Sequence, residues 1–347
     1  MRAAVRVARV ATRVRPSLVV DRVRRGAWSV RGGYSPRLDL SWRWDANEAR
    51  EVRIEWPTRY RWPPQEIWLE PICRGLALHV PVMRSEIPQP SSAVVLIRVH
   101  KSAASYDVAI DYSDYPSIDH AIANRVLVYF KMQLSTGAAA TDPTIVPGGY
   151  VAANPELERL LGRLRHLRRL DPRPIIYAPF SSTTEVRRRV IASFERAGVP
   201  YIGGSSRHLG AYLAGVARAA VCVDVPGKGP LCFRLVEYLA VGSPIVALRH
   251  HVELPVPLVD DCHLLYADTP EELVERSSEL LRDPVRARRL GGAAADYFDR
   301  YLERRQLGAY YLHEILRAAR DQSNPARMDI CGSATTSRSP ATRPAPT

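Results

Sequence analysis

The sequence predicts a two-domain α/β protein: a C-terminal half built on a doubly wound parallel sheet, and an atypical N-terminal half with a β-rich segment. Three observations carry the expectation. From residue 172 onward, short apolar runs alternate with amphipathic helical stretches, the pattern of a parallel sheet covered on both faces. Between 93 and 150 the same alternation returns more loosely. Between 28 and 75 stand all six tryptophans (Trp28, Trp42, Trp44, Trp56, Trp62 and Trp68), interleaved with arginine. The expected boundaries are a basic, poorly ordered segment at 1–27, an α/β domain with a β-hairpin at 28–150, a Rossmann-like domain at 151–320, and a disordered tail at 321–347 rich in Ser, Thr, Pro and Ala.

Composition bounds the function. Hydrophobic residues make up 46% of the 347, ample for two cores. The formal net charge is +13, and of 49 basic residues only Lys101, Lys131 and Lys228 are lysine. A GC-rich genome accounts for the arginine; the sharper reading is contact with phosphate or an anionic membrane. Residues 1–90 hold 17 arginines against 9 acids. The first sixteen residues carry no acid, which suits a transit peptide, a basic amphipathic helix at a membrane surface, or an over-extended start. No apolar core interrupts those arginines, so a secretory signal does not fit. No run of about 18 apolar residues offers a membrane-spanning helix. Five unevenly spaced cysteines give neither a disulfide framework nor a zinc pattern. The setting expected is reducing and cytoplasmic, with peripheral membrane contact through the basic N-terminus.

In chain order, Leu38, Leu40, Trp42 and Trp44 alternate with polar residues, as do Val52, Ile54 and Trp56 beyond Asp45-Ala46-Asn47. Period two on both sides of a turn predicts a β-hairpin with one buried face. Its tryptophans read most simply as a small core, though arginine beside tryptophan can also stack sugars or bases. Ala93–Val99, Asp107–Ile110 and Val126–Phe130 suit strands of a parallel sheet. The stretch from Asp111 to His120 follows the second of them, and parallel sheets place ligands at such loops. Asp111 or Asp114 can act there as general base towards a substrate hydroxyl, with His120 the next choice. Turn and N-cap chemistry is the plainer account of the same residues. Lys131 is expected to face the same cleft. Residues 144–151 mark the crossing between domains, and Glu156–Leu170 reads as a basic helix whose arginines form a solvated face.

In the second domain Pro174–Ala178 is a strand, followed by Ser181-Ser182-Thr183-Thr184-Glu185, a capped helix start. Its loop offers Ser181 and Ser182 for phosphate contacts. Arg187, Arg188 and Arg189 follow, and three adjacent arginines cannot all face one site. Val199–Ile202 is the next strand, 203–206 a turn, Arg207–Ala217 a helix, and Ala219–Val225 a buried strand. Then comes a Gly/Lys turn, a helix at Leu231–Val241 with Pro230 in its first position, and a strand at Pro244–Leu248. The logic of this stretch is an anion site. Free N–H groups of the first helical turn, with Gly227 and Gly229, can approach a phosphate closely, and Lys228 adds a point charge. Arg234 and Glu237 share one helix face, Glu237 roughly 10 Å from the helix start. Gly242 closes the helix in a left-handed conformation. Next, His250 and His251 with Glu253 invite a metal reading, but adjacent residues point apart in a strand, so no metal is expected. Helices at 270–281, 284–301 and 303–320 complete the domain.

Phe233-Arg234-Leu235-Val236-Glu237-Tyr238-Leu239-Ala240-Val241-Gly242-Ser243-Pro244-Ile245-Val246 resembles the donor-site segment of GT-B glycosyltransferases. Cys262–Tyr266, Thr269–Leu273 and Leu280–Pro284 resemble the end of that fold, so the likeness covers about residues 172 to 318. It implies that helix amides and a basic residue hold the diphosphate of a nucleotide-diphosphate sugar. It also implies that Glu237 binds the ribose and that His250 or Glu253 borders the donor sugar. Many retaining members carry a second glutamate eight residues before the first; the matching position here is Gly229. The implied activity is metal-independent transfer of a sugar from the nucleotide sugar, with no other cofactor, to a glycan, lipid or small-molecule acceptor. Lys228, the helix N-terminus and Arg234 would meet the leaving-group charge. The alternative is a catalytically degenerate relative that binds a nucleotide or glycan. Nucleic acid is not expected as a partner, because no RNA- or DNA-binding signature is present.

Overall fold

The apolar runs become strands of two sheets. In the computed structural model, which describes residues 34–139, 142–152, 157–204 and 209–323, the first half forms a six-stranded sheet. Its elements in order are α1 (Ala46–Arg50), β1 (Val52–Pro57), α2 (Glu66–Leu76), β2 (Val82–Ser85), β3 (Val94–Lys101), β4 (Ala104–Asp111), α3 (His120–Ala123), β5 (Tyr129–Lys131) and β6 (Ile145–Pro147). The strand order is β2-β1-β3-β4-β5-β6. Expectations for segment 1–27, for Trp28, for the turn at 205–206 and for the tail beyond 323 lie outside the described residues.

Two expectations for this half are corrected. The β-hairpin around Asp45 does not form. The Asp45 carboxylate accepts from the Asn47 N–H at 2.7 Å and caps α1 instead. Residues 38–44 lie as an irregular segment over the last helix of the chain, where Trp42 meets Tyr310 with ring centroids 4.9 Å apart. Of the alternating residues Leu38 is exposed and Leu40, Trp42 and Trp44 are half-buried, and the surface Trp42 packs on is a helix rather than a strand. Secondly, β3 and β4 run antiparallel. Only Ser102 and Ala103 join them, with Ser102 at φ 53°, and a two-residue link cannot make a parallel crossover. From β4 on the sheet is parallel, β4 to β5 to β6.

The second half is built as expected. Its elements are α4 (Leu157–Leu170), β7 (Arg173–Ala178), α5 (Glu185–Ala197), β8 (Tyr201–Gly203), α6 (Leu209–Arg218), β9 (Ala219–Asp224), α7 (Arg234–Val241), β10 (Ile245–Leu248), β11 (Leu265–Ala267), α8 (Pro270–Arg282), α9 (Pro284–Tyr297) and α10 (Arg304–Ser323). Five parallel strands lie in the order β11-β10-β9-β7-β8. One face packs Val190 and Phe194 of α5 with Leu273 of α8 and Leu290 of α9. Leu161 of α4, Leu213 of α6 and Leu239 of α7 belong to the core on the other. Thr184, Thr269 and Asp283 cap α5, α8 and α9 with their side chains. The expected solvated face of α4 is corrected in part: Arg165 bonds the Ala240 carbonyl at 2.8 Å and pairs with Asp299, while Arg168 bonds the Ala219 carbonyl.

The chain then turns back. The helix α10 leaves the second unit and packs on α2 of the first, running to Ser323, past the tail start expected at 321. Gly308 and Gly75 make this crossing. A Cβ on Gly308 would sit 2.1 Å from the Gly75 carbonyl carbon, so only glycine permits the two backbones to touch. Tyr310 and Tyr311 of α10 donate to the carbonyls of Pro147, which ends β6, and of Gly148 next to it. The two sheets are therefore held by one continuous core, with a cleft between their C-terminal strand ends. Among the described residues no helix is long and apolar enough to cross a membrane.

Candidate functional site

Strand β9 delivers a carboxylate to the C-terminal edge of its sheet: Asp224, fully buried. Its Oδ2 lies 3.1 Å from His250 Nε2, and His250 Nδ1 lies 3.2 Å from the Tyr266 hydroxyl. The Asp224 Oδ1 has no hydrogen-bond partner; the nearest cation is Arg234, with Nη2 4.0 Å away. Arg234 donates from Nη2 to the Val225 carbonyl at 3.2 Å, while its buried Nε is unpartnered. A second arginine joins it. Arg187, buried on the first turn of α5, donates to the Pro226 carbonyl at 3.0 Å and to Thr183 Oγ1 at 3.2 Å, and its Nη2 lies 4.0 Å from Cys232 Sγ. Both guanidinium carbons lie 5.8 Å from the centroid of the Phe180 ring. Burial, and next to it the Arg234 charge, lower the Arg187 pKa. Two cations thus share one aromatic ring, beside the Asp224 carboxylate that His250 already engages and one helical turn from Glu237. Two guanidinium groups held together in this way can take an anion through charged hydrogen bonds.

The loop that bears Gly227 crosses close above: a Cβ there would lie 3.1 Å from Arg187 Nη2. The following helix starts later than the sequence suggests. Helix α7 begins at Arg234, so Pro230 is not its first residue and Glu237 lies in its first turn rather than well inside. The reason lies in the other domain. Gln133 accepts from the Leu231 N–H at 3.1 Å and donates to the Leu231 carbonyl at 2.9 Å, and the Tyr150 hydroxyl donates to the same carbonyl. Those bonds draw the backbone away from helical geometry. Gly242 does end the helix, at φ 78°.

Glu237 is buried and accepts a 2.5 Å hydrogen bond from the Tyr212 hydroxyl. Burial pushes its carboxyl up to about 7, against the opposing pull of Tyr212 and Arg234. The folded value lies above the unfolded one near 4.5, so the protonated form's contribution to stability is fully present below about 4.5 and is lost as pH rises through about 7. Glu237→Gln keeps the acceptor for Tyr212 and cannot ionise. Between about pH 5 and pH 8, denaturant unfolding should shift in the variant's favour relative to wild type by up to about 3 kcal/mol. A gap that stays constant over that range would contradict the burial cause.

Across the cleft lies a cavity of about 270 Å³, lined from the first unit by Trp62, Trp68, Tyr112, Asp114 and Tyr115 and from the second by Lys228 and Phe233. Asp114 and Lys228 are both exposed there. Gly229 is where the two units touch: a Cβ would meet Gln133 Nε2 at 2.6 Å and the Asp114 carbonyl at 2.7 Å. No side chain fits at the position matching the second glutamate. A 420 Å³ cavity between α2 and the start of α10 is mostly apolar and holds none of these groups.

The other expected residues are dispersed. Asp111 is buried in an ion pair with Lys131 at 3.1 Å and accepts from Tyr129 at 2.7 Å and from the Ser113 N–H. Lys131, expected in the cleft, is fully buried and also donates to Ser113 Oγ at 2.8 Å. This pair fixes the loop that carries Asp114. His120 is exposed on α3, away from the cavity lining. Ser181 and Ser182 lie on the loop before α5, with the Ser182 carbonyl accepting from Arg188. Glu253 accepts from the Gly137 N–H, joining the loop after β10 to the first unit. Asp224, Phe180 and Tyr212 are not among the expected site residues, and Arg187 is expected only as one of three adjacent arginines. A usable signal existed for two of them: an acid ending a buried strand, and an arginine three residues after the Thr184 cap.

No family model matches this chain, and no curated protein matches it. Among solved structures it is similar to the sucrose-phosphate synthase of Thermosynechococcus elongatus, with 17% identity, a TM-score of 0.29, and 49% of this chain covering 42% of that one. It is similar to a glycosyltransferase from Rickettsia africae, at 11% identity and TM-score 0.31, over 56% of this chain and 59% of that one. It is also similar to the wall teichoic acid polymerase TagF, at 12% identity and TM-score 0.25, over 58% and 60%. The chain spans about half the length of the structures it matches.

Proposed function

We propose that this chain is a glycosyltransferase that takes a sugar from a nucleotide-diphosphate donor. The observation that carries the reading is the pair of buried Arg187 and half-buried Arg234 on Phe180, with the buried Nε of Arg234 unpartnered. In this reading the diphosphate lies against the two guanidinium groups, and Glu237 takes the ribose hydroxyls in place of Tyr212. The sugar projects into the cleft beside His250 and Lys228. An acceptor hydroxyl attacks the anomeric carbon, the bond to the phosphate oxygen breaks, and the diphosphate leaves with the electron pair. Its new charge meets Arg187, Arg234 and Lys228, so side chains fill the role a metal would otherwise take. Asp114, the exposed carboxylate at the cavity, receives the hydroxyl proton. Asp111 serves as the anchor of that loop.

A thermal-melting panel of UDP, GDP, ADP and dTDP sugars tests the donor site. One nucleotide at about 100 times its Kd should add about 2.7 kcal/mol to wild-type stability, and the gain should vanish in Glu237→Ala. No shift with any of the four sinks the reading. Gly229 supports a second reading, in which the chain binds the nucleotide sugar without turnover. A bound donor recovered intact after long incubation with acceptors would favour it.

A further inference from the structure

The acceptor side of the cleft carries a feature that donor binding does not use. Among the large apolar side chains left exposed, Trp62 (44%), Tyr115 (64%) and Phe233 (37%) crowd one cavity mouth. Trp62 and Trp68 lie with ring centroids 5.9 Å apart and planes 21° from parallel. Trp68 and Tyr112 follow at 6.3 Å and 9°. Three nearly parallel, stacked rings thus make an aromatic platform that ends at the exposed Trp62. It is held rigidly: Trp68 rides on α2, the Tyr112 hydroxyl donates to the Ser92 carbonyl, and Arg61 beside Trp62 bonds the Pro90 carbonyl at 2.8 Å. Aromatic area left in water at a cavity mouth marks a binding surface.

The polar groups around the platform say what it binds. Asp114 offers a carboxylate and Lys228 an amine at the rim. A ligand that matches must have a flat face of C–H bonds and hydroxyl groups around its edge, the chemistry of a sugar ring. A second nucleotide would bring phosphates towards Asp114, while the two arginines suited to phosphate pack on Phe180 and are not part of the cavity lining. The volume of about 270 Å³ suits a sugar unit or two, open to a longer chain at the exposed rings. We propose that Trp62, Trp68 and Tyr112 form a saccharide subsite and that the acceptor is a carbohydrate. The assignment rests on the glycosyltransferase reading for the word acceptor, and on the platform alone for the saccharide.

Saturation-transfer NMR, irradiating the aromatic protons, tests it with methyl glycosides of the common hexoses and N-acetylhexosamines and with their linear disaccharides. At least one saccharide should show transfer strongest at its ring C–H protons. Trp62→Ala should weaken that binding about tenfold, and Trp62→Phe should restore most of it. Trp62 is an exposed residue, and an unchanged melting curve for both variants separates lost stacking from lost fold. No transfer from any saccharide, or transfer that survives Trp62→Ala, overturns the proposal. Calorimetric titration with the four nucleotides on the same samples separates the two readings. Nucleotide bound without saccharide removes the platform assignment and leaves the donor site standing; saccharide bound through Trp62 without any nucleotide does the reverse.

Discussion

Replacing Arg187 and Arg234 together by methionine should weaken nucleotide-diphosphate binding about a thousandfold, because each removed guanidinium forfeits a charged hydrogen bond worth about 1.5–3 kcal/mol. The same change should not unfold the protein. Arg187 is buried and Arg234 half-buried, Arg187 donates only to carbonyl, hydroxyl and thiol groups, and the two like charges share the Phe180 ring. Apolar groups of similar reach can fill such positions at little cost. Arg187→Met alone is the cleaner test, since it leaves Arg234 beside Asp224. It should lose about 10- to 100-fold in affinity with a melting point at or above wild type. Undiminished nucleotide binding in the double variant would remove the anion site from this edge of the sheet. A collapsed melting point with binding retained in the folded fraction would make the arginines structural.

That outcome bears on how the chain encodes its site. The second sheet was legible because its signals are local: apolar runs, caps at Thr184, Thr269 and Asp283, and Gly242 at a positive φ. The first sheet was less so. Trp42 of its alternating stretch faces a helix more than 260 residues away in sequence, as the bond from Ser41 to Gln306 also makes plain, and no local pattern distinguishes that partner from a strand. The same long-range cause moved the start of α7, where Gln133 of the other unit holds Leu231. Glu237 and Arg234 were found because the helix repeat places them together. Arg187 was hidden among three adjacent arginines, and only the fold reveals that its neighbours Arg188 and Arg189 are exposed while it is buried. Asp111 was singled out for a good local reason, its place at a strand end. Its partner Lys131 lies on a neighbouring strand and takes it out of the chemistry.

The Asp111–Lys131 pair supplies the largest stability effect expected here. Both side chains are buried, and burial lowers the Lys131 pKa while Asp111 raises it again. Lys131→Met removes one partner and leaves the Asp111 carboxylate with only the Tyr129 hydroxyl and the Ser113 N–H, which should cost about 3–5 kcal/mol in chemical unfolding. Pairing it with Asp111→Asn removes both charges, and most of the loss should return, because no unmatched ion is left inside. The functional consequence is separate from the stability. Lys131 also holds Ser113, one residue before Asp114, so the single variant releases the loop that presents the proposed base. At a temperature where Lys131→Met is fully folded, turnover should fall while donor affinity at Arg187 and Arg234 stays as in wild type. A variant that melts with wild type and turns over normally would mean that the pair neither supports the sheet nor positions Asp114. Equal losses of turnover and donor affinity would mean that the pair acts on the whole cleft, because only a loop effect can separate the two.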